Sequence, residues 1–228
     1  MSNSKLNPVI DFINTLCSFF VLNLIFLITC LPVFTVGSAL SSLYYVMGRE
    51  TKGEYGYLVR TYIREFRRNF KDGSLAFLLF LITGGLLGFN LFFWPFRGTP
   101  VSSGITGILA ALFLVWLIVF HYTFPLIGRF INTPLNSIRN AWGLALRNIK
   151  WTLALLFIDI LTACFCLFLP LNTVLTAMCS LGFVLIAYFQ SFIFNRVFLP
   201  YEGAKDDSSG KQSILREHAD MMTGTSQF

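Results

Sequence analysis

The sequence predicts an all-α, polytopic integral membrane protein with about five transmembrane helices and two amphipathic helices on its cytoplasmic side. Three observations carry this. Five apolar stretches are each long enough to cross a bilayer core, which takes about 20 residues as a helix. Charged residues are only 12% of the chain against 55% hydrophobic, where a soluble domain carries about 25% charged. The charges that remain are gathered between the apolar stretches.

The first stretch is Phe12 to Pro32, with an extension to Met47 that is rich in Ser, Gly and Tyr. Pro32 removes a backbone donor, so a kink or break is expected there, followed either by a bent continuation or by a short second helix. The next spans are Ser74 to Pro95, Ile105 to Gly128, Trp151 to Pro170 and Thr173 to Phe194. In lipid every backbone amide must find an internal partner, so each run is read as a helix. Residues 1–201 then form one transmembrane domain. Residues 202–228, polar from Glu202 onward, read as a flexible cytoplasmic tail.

Orientation follows the Lys and Arg residues. The segment Gly48 to Gly73 holds Arg49, Lys52, Arg60, Arg64, Arg67, Arg68 and Lys71. The segment Arg129 to Lys150 holds Arg129, Arg139, Arg147 and Lys150. With the C-terminal part, fifteen of the seventeen basic residues fall on one side of a five-span chain, leaving Lys5 and Arg97 on the other. The expectation is a plasma-membrane protein with its N-terminus outside and its C-terminus in the cytoplasm. The net charge of +6 is thereby read as topology, and nucleic acid is not an expected partner.

Both basic segments have helical periodicity. Leu58, Val59, Tyr62, Ile63, Phe66 and Phe70 share one face, opposite Arg60, Arg64, Arg67, Arg68 and Lys71. Leu135, Ile138, Trp142, Ala145 and Ile149 share another, opposite Asn136, Asn140, Arg147 and Lys150. Such helices lie at a membrane surface. Their basic faces, with Arg139, are expected to contact anionic lipid or a protein partner. The two segments also align, with Val59-Arg60 over Ile138-Arg139 and Arg68-Asn69-Phe70-Lys71 over Arg147-Asn148-Ile149-Lys150. This suggests a parallel internal repeat, an arrangement common in transporters.

The run Leu31-Pro32-Val33-Phe34-Thr35-Val36-Gly37, then Tyr44-Tyr45, resembles the opening signature of the YesL-like family of bacterial membrane proteins. Phe66, Asn69 and Phe70 stand in a stretch similar to its second signature. The family has no established biochemical activity and supplies no catalytic residues. The resemblance implies a Gram-positive membrane component associated with carbohydrate ABC importers, and importer permease subunits as partners.

Searching for chemistry gives little. No Walker-type phosphate loop, Cys-x-x-Cys, His-Glu-x-x-His or Gly-x-Ser-x-Gly occurs. Five cysteines lie in apolar stretches and there are two histidines, so no metal, no cofactor and no enzymatic activity are expected. The permease docking string Glu-Ala-Ala-x-x-x-Gly is also missing. Polar residues inside the spans are the remaining leads, because they are costly there. Asp159 lies eight residues beyond Trp151, about 12 Å deep, and His121 and Gln190 fall at similar depths. These three are expected to meet in one buried polar layer. Gly84, Gly85 and Gly88 form a small-residue face suited to helix packing. The expected function is a non-catalytic accessory subunit of a carbohydrate importer, with a small stand-alone or homo-oligomeric transporter as the alternative.

Overall fold

The computed structural model describes residues 8–54, 56–130 and 133–201. The tail from 202 lies outside them. The described residues form helices and no strand. They are α1 (Pro8–Cys30), α2 (Val36–Glu50), α3 (Leu58–Arg68), α4 (Phe70–Phe93), α5 (Pro100–Arg129), α6 (Pro134–Arg147) and α7 (Ile149–Phe168). The last rod, α8, runs Leu171–Tyr201 with a π-helical segment at Met178–Gly182. Five helices are long and apolar enough to cross a membrane, within α1, α4 with its 3-10 extension, α5, α7 and α8.

The extension after Pro32 is a separate helix. Pro32 stands in extended backbone ahead of a 3-10 turn at Val33–Thr35. The Thr35 hydroxyl donates to the carbonyls of Thr29 and Pro32, both at 2.6 Å, so the end of α1 is satisfied where lipid offers nothing. The chain then doubles back. Phe12 and Ser18 of α1 line one cavity with Glu50 at the end of α2. That same end is tied to α8, where Asn195 Nδ2 donates to the Gly48 carbonyl (3.0 Å) and to Thr51 Oγ1 (2.6 Å). The expectation that α1 starts and α8 finishes at opposite ends of the bundle is therefore corrected. The reversal at Pro32 brings both to the same end.

α2 is too polar and too short to face lipid, and it is the centre of the molecule. Ser38, Ser41 and Ser42 are fully buried along it. Its approach to α4 is made possible by glycines. A Cβ at Gly37 would lie 2.1 Å from the Gly73 carbonyl oxygen, and one at Gly73 would lie 2.7 Å from Ser38 Cα. Against α5, a Cβ at Gly128 would lie 2.4 Å from the Ser41 carbonyl. Ser38 Oγ donates to Phe70 O at 2.8 Å and meets Ser74 Oγ at 3.0 Å. α4 and α5 pack antiparallel through Phe77–Phe124, Phe80–Phe120 and Trp116 Nε1 donating to Thr83 Oγ1.

Two further joints position the site. Asn23 is completely buried against the π segment of α8. It donates to the carbonyls of Met178 and Cys179 (2.9 Å each) and accepts from the Val184 N–H (3.3 Å). A π segment shifts the backbone register and frees carbonyls, and one amide side chain satisfies them. At the α3–α4 and α6–α7 junctions stand Asn69 and Asn148, each interrupting the helix for a single residue.

A candidate polar layer inside the bundle

The structure brings His121, Asp159 and Gln190 together and adds a fourth member. Gln190 Nε2 on α8 donates to Asp159 Oδ1 on α7 at 2.7 Å. Tyr44 OH on α2 donates to Gln190 Oε1 at 2.6 Å. His121 Nδ1 on α5 lies 3.6 Å from Asp159 Oδ2, an ion-pair distance. Four helices thus meet through one chain of polar groups. Gln190 can act in both directions because its amide is donor and acceptor at once.

The layer is walled by rings. Phe194 is stacked on His121 (5.8 Å between centroids) and takes the edges of Tyr44 and Tyr122, each at 5.5 Å. Gln190 is 1% exposed, whereas the Asp159 side chain keeps 37% of its surface accessible. Oδ1 is held by Gln190 and Oδ2 faces His121, while part of the Asp159 side chain stays accessible. His121 Nε2 is buried without a hydrogen-bond partner among the described residues. Pro125 has no N–H to offer the His121 carbonyl. The arrangement can hold a proton or orient a polar group.

Tyr44 was expected as a signature residue and not as part of the layer. Tyrosine in a membrane helix reads as apolar, and only its partner reveals the hydroxyl's role. The other signature residues are structural. Pro32, Thr35 and Gly37 make the reversal and the close approach, while Leu31 is exposed. Tyr45 lies beneath the Arg68 guanidinium at 5.5 Å. Phe66 stacks on Tyr62 and meets the edge of Phe70. The Asn69 carbonyl accepts from the Gly73 N–H at 2.8 Å.

The two amphipathic helices each bury part of their surface against the bundle. On α3, Tyr62 and Glu65 are buried, while Ile63 and, at the start of α4, Phe70 are exposed. Glu65, at 1% exposure, is held between Arg64 (3.1 Å) and Arg68 (2.5 Å). Arg68 Nη2 also donates to the Gly128 carbonyl on α5 at 3.0 Å. Arg68 is thus a tie to the bundle, whereas Arg60, Arg64, Arg67 and Lys71 remain exposed. Burial raises the Tyr62 hydroxyl pKa above its usual value; its hydrogen bond with Thr29 acts the other way. On α6, Ser137, Ala141, Leu144 and Ala145 are buried against the bundle, while Leu135 and Trp142, with Ile149 at the start of α7, are exposed. Arg139, Arg147 and Lys150 are exposed.

Of the glycine face, Gly84 packs on Trp116, where a Cβ would lie 2.4 Å from the ring, while Gly85 and Gly88 have open space around them within this chain. Gly37–Gly73 and Gly128–Ser41 are also close helix contacts. No group of three or more His, Cys, Asp and Glu able to hold a metal occurs among the described residues.

No curated protein and no solved structure matches the chain. A family model described as a protein of unknown function, DUF624, matches residues 19–91, less than half of the chain. That is the family of YesL-like membrane proteins. The matched segment runs from within α1 to the end of α4, so it includes Tyr44 and stops short of His121, Asp159 and Gln190.

Proposed function

We propose that this chain is a non-catalytic accessory subunit that docks onto the permease of a carbohydrate ABC importer, with the basic end of the bundle in the cytoplasm. The observation that carries the docking reading is the outer face of α3. Arg60, Arg64 and Arg67 line a surface cavity of about 1090 Å³ there, with Tyr57 and Ser18 opposite. A rigid helix displaying several arginines suits an acidic partner surface. The importer itself rests on the YesL-like resemblance. The cytoplasmic assignment rests on the Lys and Arg asymmetry. Because α2 doubles back, both the start of α1 and the end of α8 belong to that cytoplasmic end.

The test is purification of the tagged protein from its native membrane in mild detergent, with partners identified by mass spectrometry. Importer permeases in fixed ratio are expected, and Arg60→Glu with Arg64→Glu releases them. Recovery of the protein alone would refute the docking reading.

A second reading, a small transporter, is favoured by one observation. A titratable pair, His121 and Asp159, sits inside the bundle with the carboxylate partly accessible, and intramembrane ionisable groups commonly mark transport paths. Uptake of labelled oligosaccharide into proteoliposomes, abolished by Asp159→Asn, would support it against the first.

A further inference from the structure

The second basic helix carries a groove that the docking reading does not use. It lies between α6, the end of α5 and the end of α8, with a volume of about 430 Å³. Its walls divide by chemistry. Leu126 and Phe130 give an apolar side, Arg139, Asn140 and Arg147 a polar one, and Tyr201 stands at the mouth under Arg147 at 6.0 Å. No carboxylate lines it among the described residues.

Arg139, Gly143 and Arg147 are spaced four apart, so they form one stripe along α6, with the arginine Cα atoms about 12 Å from end to end. Gly143 stands midway. A glycine in a helix interior costs about 1 kcal/mol relative to alanine. Here no neighbour demands it, since a Cβ would meet nothing within 4 Å. Its effect is to leave a notch between two guanidinium groups. Two arginines that reach toward such a notch make a fork for phosphate oxygens.

We propose that this groove is a binding site for an anionic phospholipid, with the phosphate seated over Gly143 between Arg139 and Arg147. The glycerol and upper acyl chain run along Leu126 and Phe130. Two features select a lipid over a free anion: half of the lining is apolar, and the outer face of α6 beside the groove, with Trp142 and Leu146 exposed, suits the membrane interface.

The test uses the full-length protein, stripped of lipid in detergent and titrated with phosphatidylglycerol or with phosphatidylcholine of the same acyl chains. Retained lipid is counted by native mass spectrometry. One phosphatidylglycerol is expected to be held about tenfold more tightly than phosphatidylcholine. The preference disappears in the double variant Arg139→Gln, Arg147→Gln. It also disappears in Gly143→Leu, which fills the notch, changes no charge and raises helix propensity, so it carries no folding penalty of its own. Arg60→Gln with Arg64→Gln, on α3, leaves the preference intact. Equal retention of the two lipids would overturn the proposal. So would retention of phosphatidylglycerol by Gly143→Leu, which would mean diffuse charge rather than a seat. Displacement of the lipid by millimolar inorganic phosphate would also overturn it, by identifying a small-anion site.

Discussion

The two halves of this molecule carry the same junction and pack in opposite ways. Arg68-Asn69-Phe70-Lys71 joins α3 to α4, and Arg147-Asn148-Ile149-Lys150 joins α6 to α7. In the first half the junction is locked. Glu65 is buried among arginines, Arg68 reaches α5, and Gly37 and Gly73 let α2 lie against α4 at backbone contact. In the second half, α7 buries only Thr152 and Leu155. Arg147 turns to Tyr201 and the groove rather than into the core. A shared sequence pattern therefore sets the path of the backbone, an interfacial helix followed by a span. What the pattern does not set is how tightly that path is held. The tight half is the part that α2 fastens, and the loose half is the part that offers Asp159 and the arginine groove.

The sharpest way to break this comparison is to add one methyl group on each kind of glycine. Gly37→Ala forces a Cβ into the Gly73 carbonyl, where backbone rather than a flexible side chain must yield. It is expected to destabilise by about 3 kcal/mol. Gly85→Ala meets nothing and gains helix propensity, so it is expected to be neutral or stabilising by up to about 1 kcal/mol. Thermal unfolding of both variants in the same detergent separates them. Equal midpoints would remove the distinction between a packed and an open glycine.

The next contrast sets the two junction arginines against each other. Arg68→Met strips Glu65 of one partner and leaves a carboxylate at 1% exposure. Since the Arg68 side chain is itself 45% exposed, the expected loss is about 2 kcal/mol rather than the larger cost of breaking a fully buried pair. Arg147→Met, at the matching position, removes a cation–π contact with the Tyr201 ring and should lose about 0.5 kcal/mol. Hydrogen exchange at the amides of α3 and α6 reads this locally. Faster exchange confined to α3 in Arg68→Met is the expected result.

These contrasts mark how far the sequence could be read. The spans were legible because about 20 apolar residues in a row have few other uses. The polar layer was legible because Asp159 is the only acidic residue deep within a span, which makes it conspicuous. Glu65 was hidden for the opposite reason, since one carboxylate among four arginines looks like surface. On α6 the packing face is hard to read from sequence, because a membrane surface inverts the usual rule. In water the apolar face is the buried face. At a membrane the large residues Leu135 and Trp142 can face outward while Ser137 and Ala141 make the helix contact. For the glycine stripe, spacing identifies a small face without saying which of its members has a neighbour, and within the chain only Gly84 has one. The reversal after Pro32 was left open because a proline marks a break but not the direction taken beyond it.

Within the polar layer the comparison becomes one between the two partners of Asp159, Gln190 at Oδ1 and His121 at Oδ2. Gln190→Leu removes the amide that holds Oδ1 and leaves Tyr44 without an acceptor. Half-buried Tyr44 loses its acceptor and Asp159 keeps only His121, so a loss of about 1.5 kcal/mol is expected. Unfolding of α7 ahead of the rest, seen as early protease cleavage near its ends, would accompany it. A single cooperative transition at a lower midpoint would instead mean that α7 is held by more than this contact.

Tyr44→Phe is the mildest cut and the most informative about the layer. It removes only the hydroxyl. The ring keeps its edge contacts with Phe194 and His121, and no cavity larger than one oxygen atom forms. What is lost is the bond from α2 to Gln190, one of the links, with Asn195 to Gly48 and Thr51, by which α2 holds α8. An interhelical hydrogen bond in a membrane protein is worth about 0.6 kcal/mol on average, and the variant is expected to lose about that much. The decisive quantity is its coupling to Gln190→Leu. If Tyr44 acts through Gln190, the double variant loses no more than Gln190→Leu alone, since the second cut finds nothing left to break. Additive losses would mean that Tyr44 stabilises the bundle through its ring contacts. The chain of polar groups would then end at Gln190 and not reach α2.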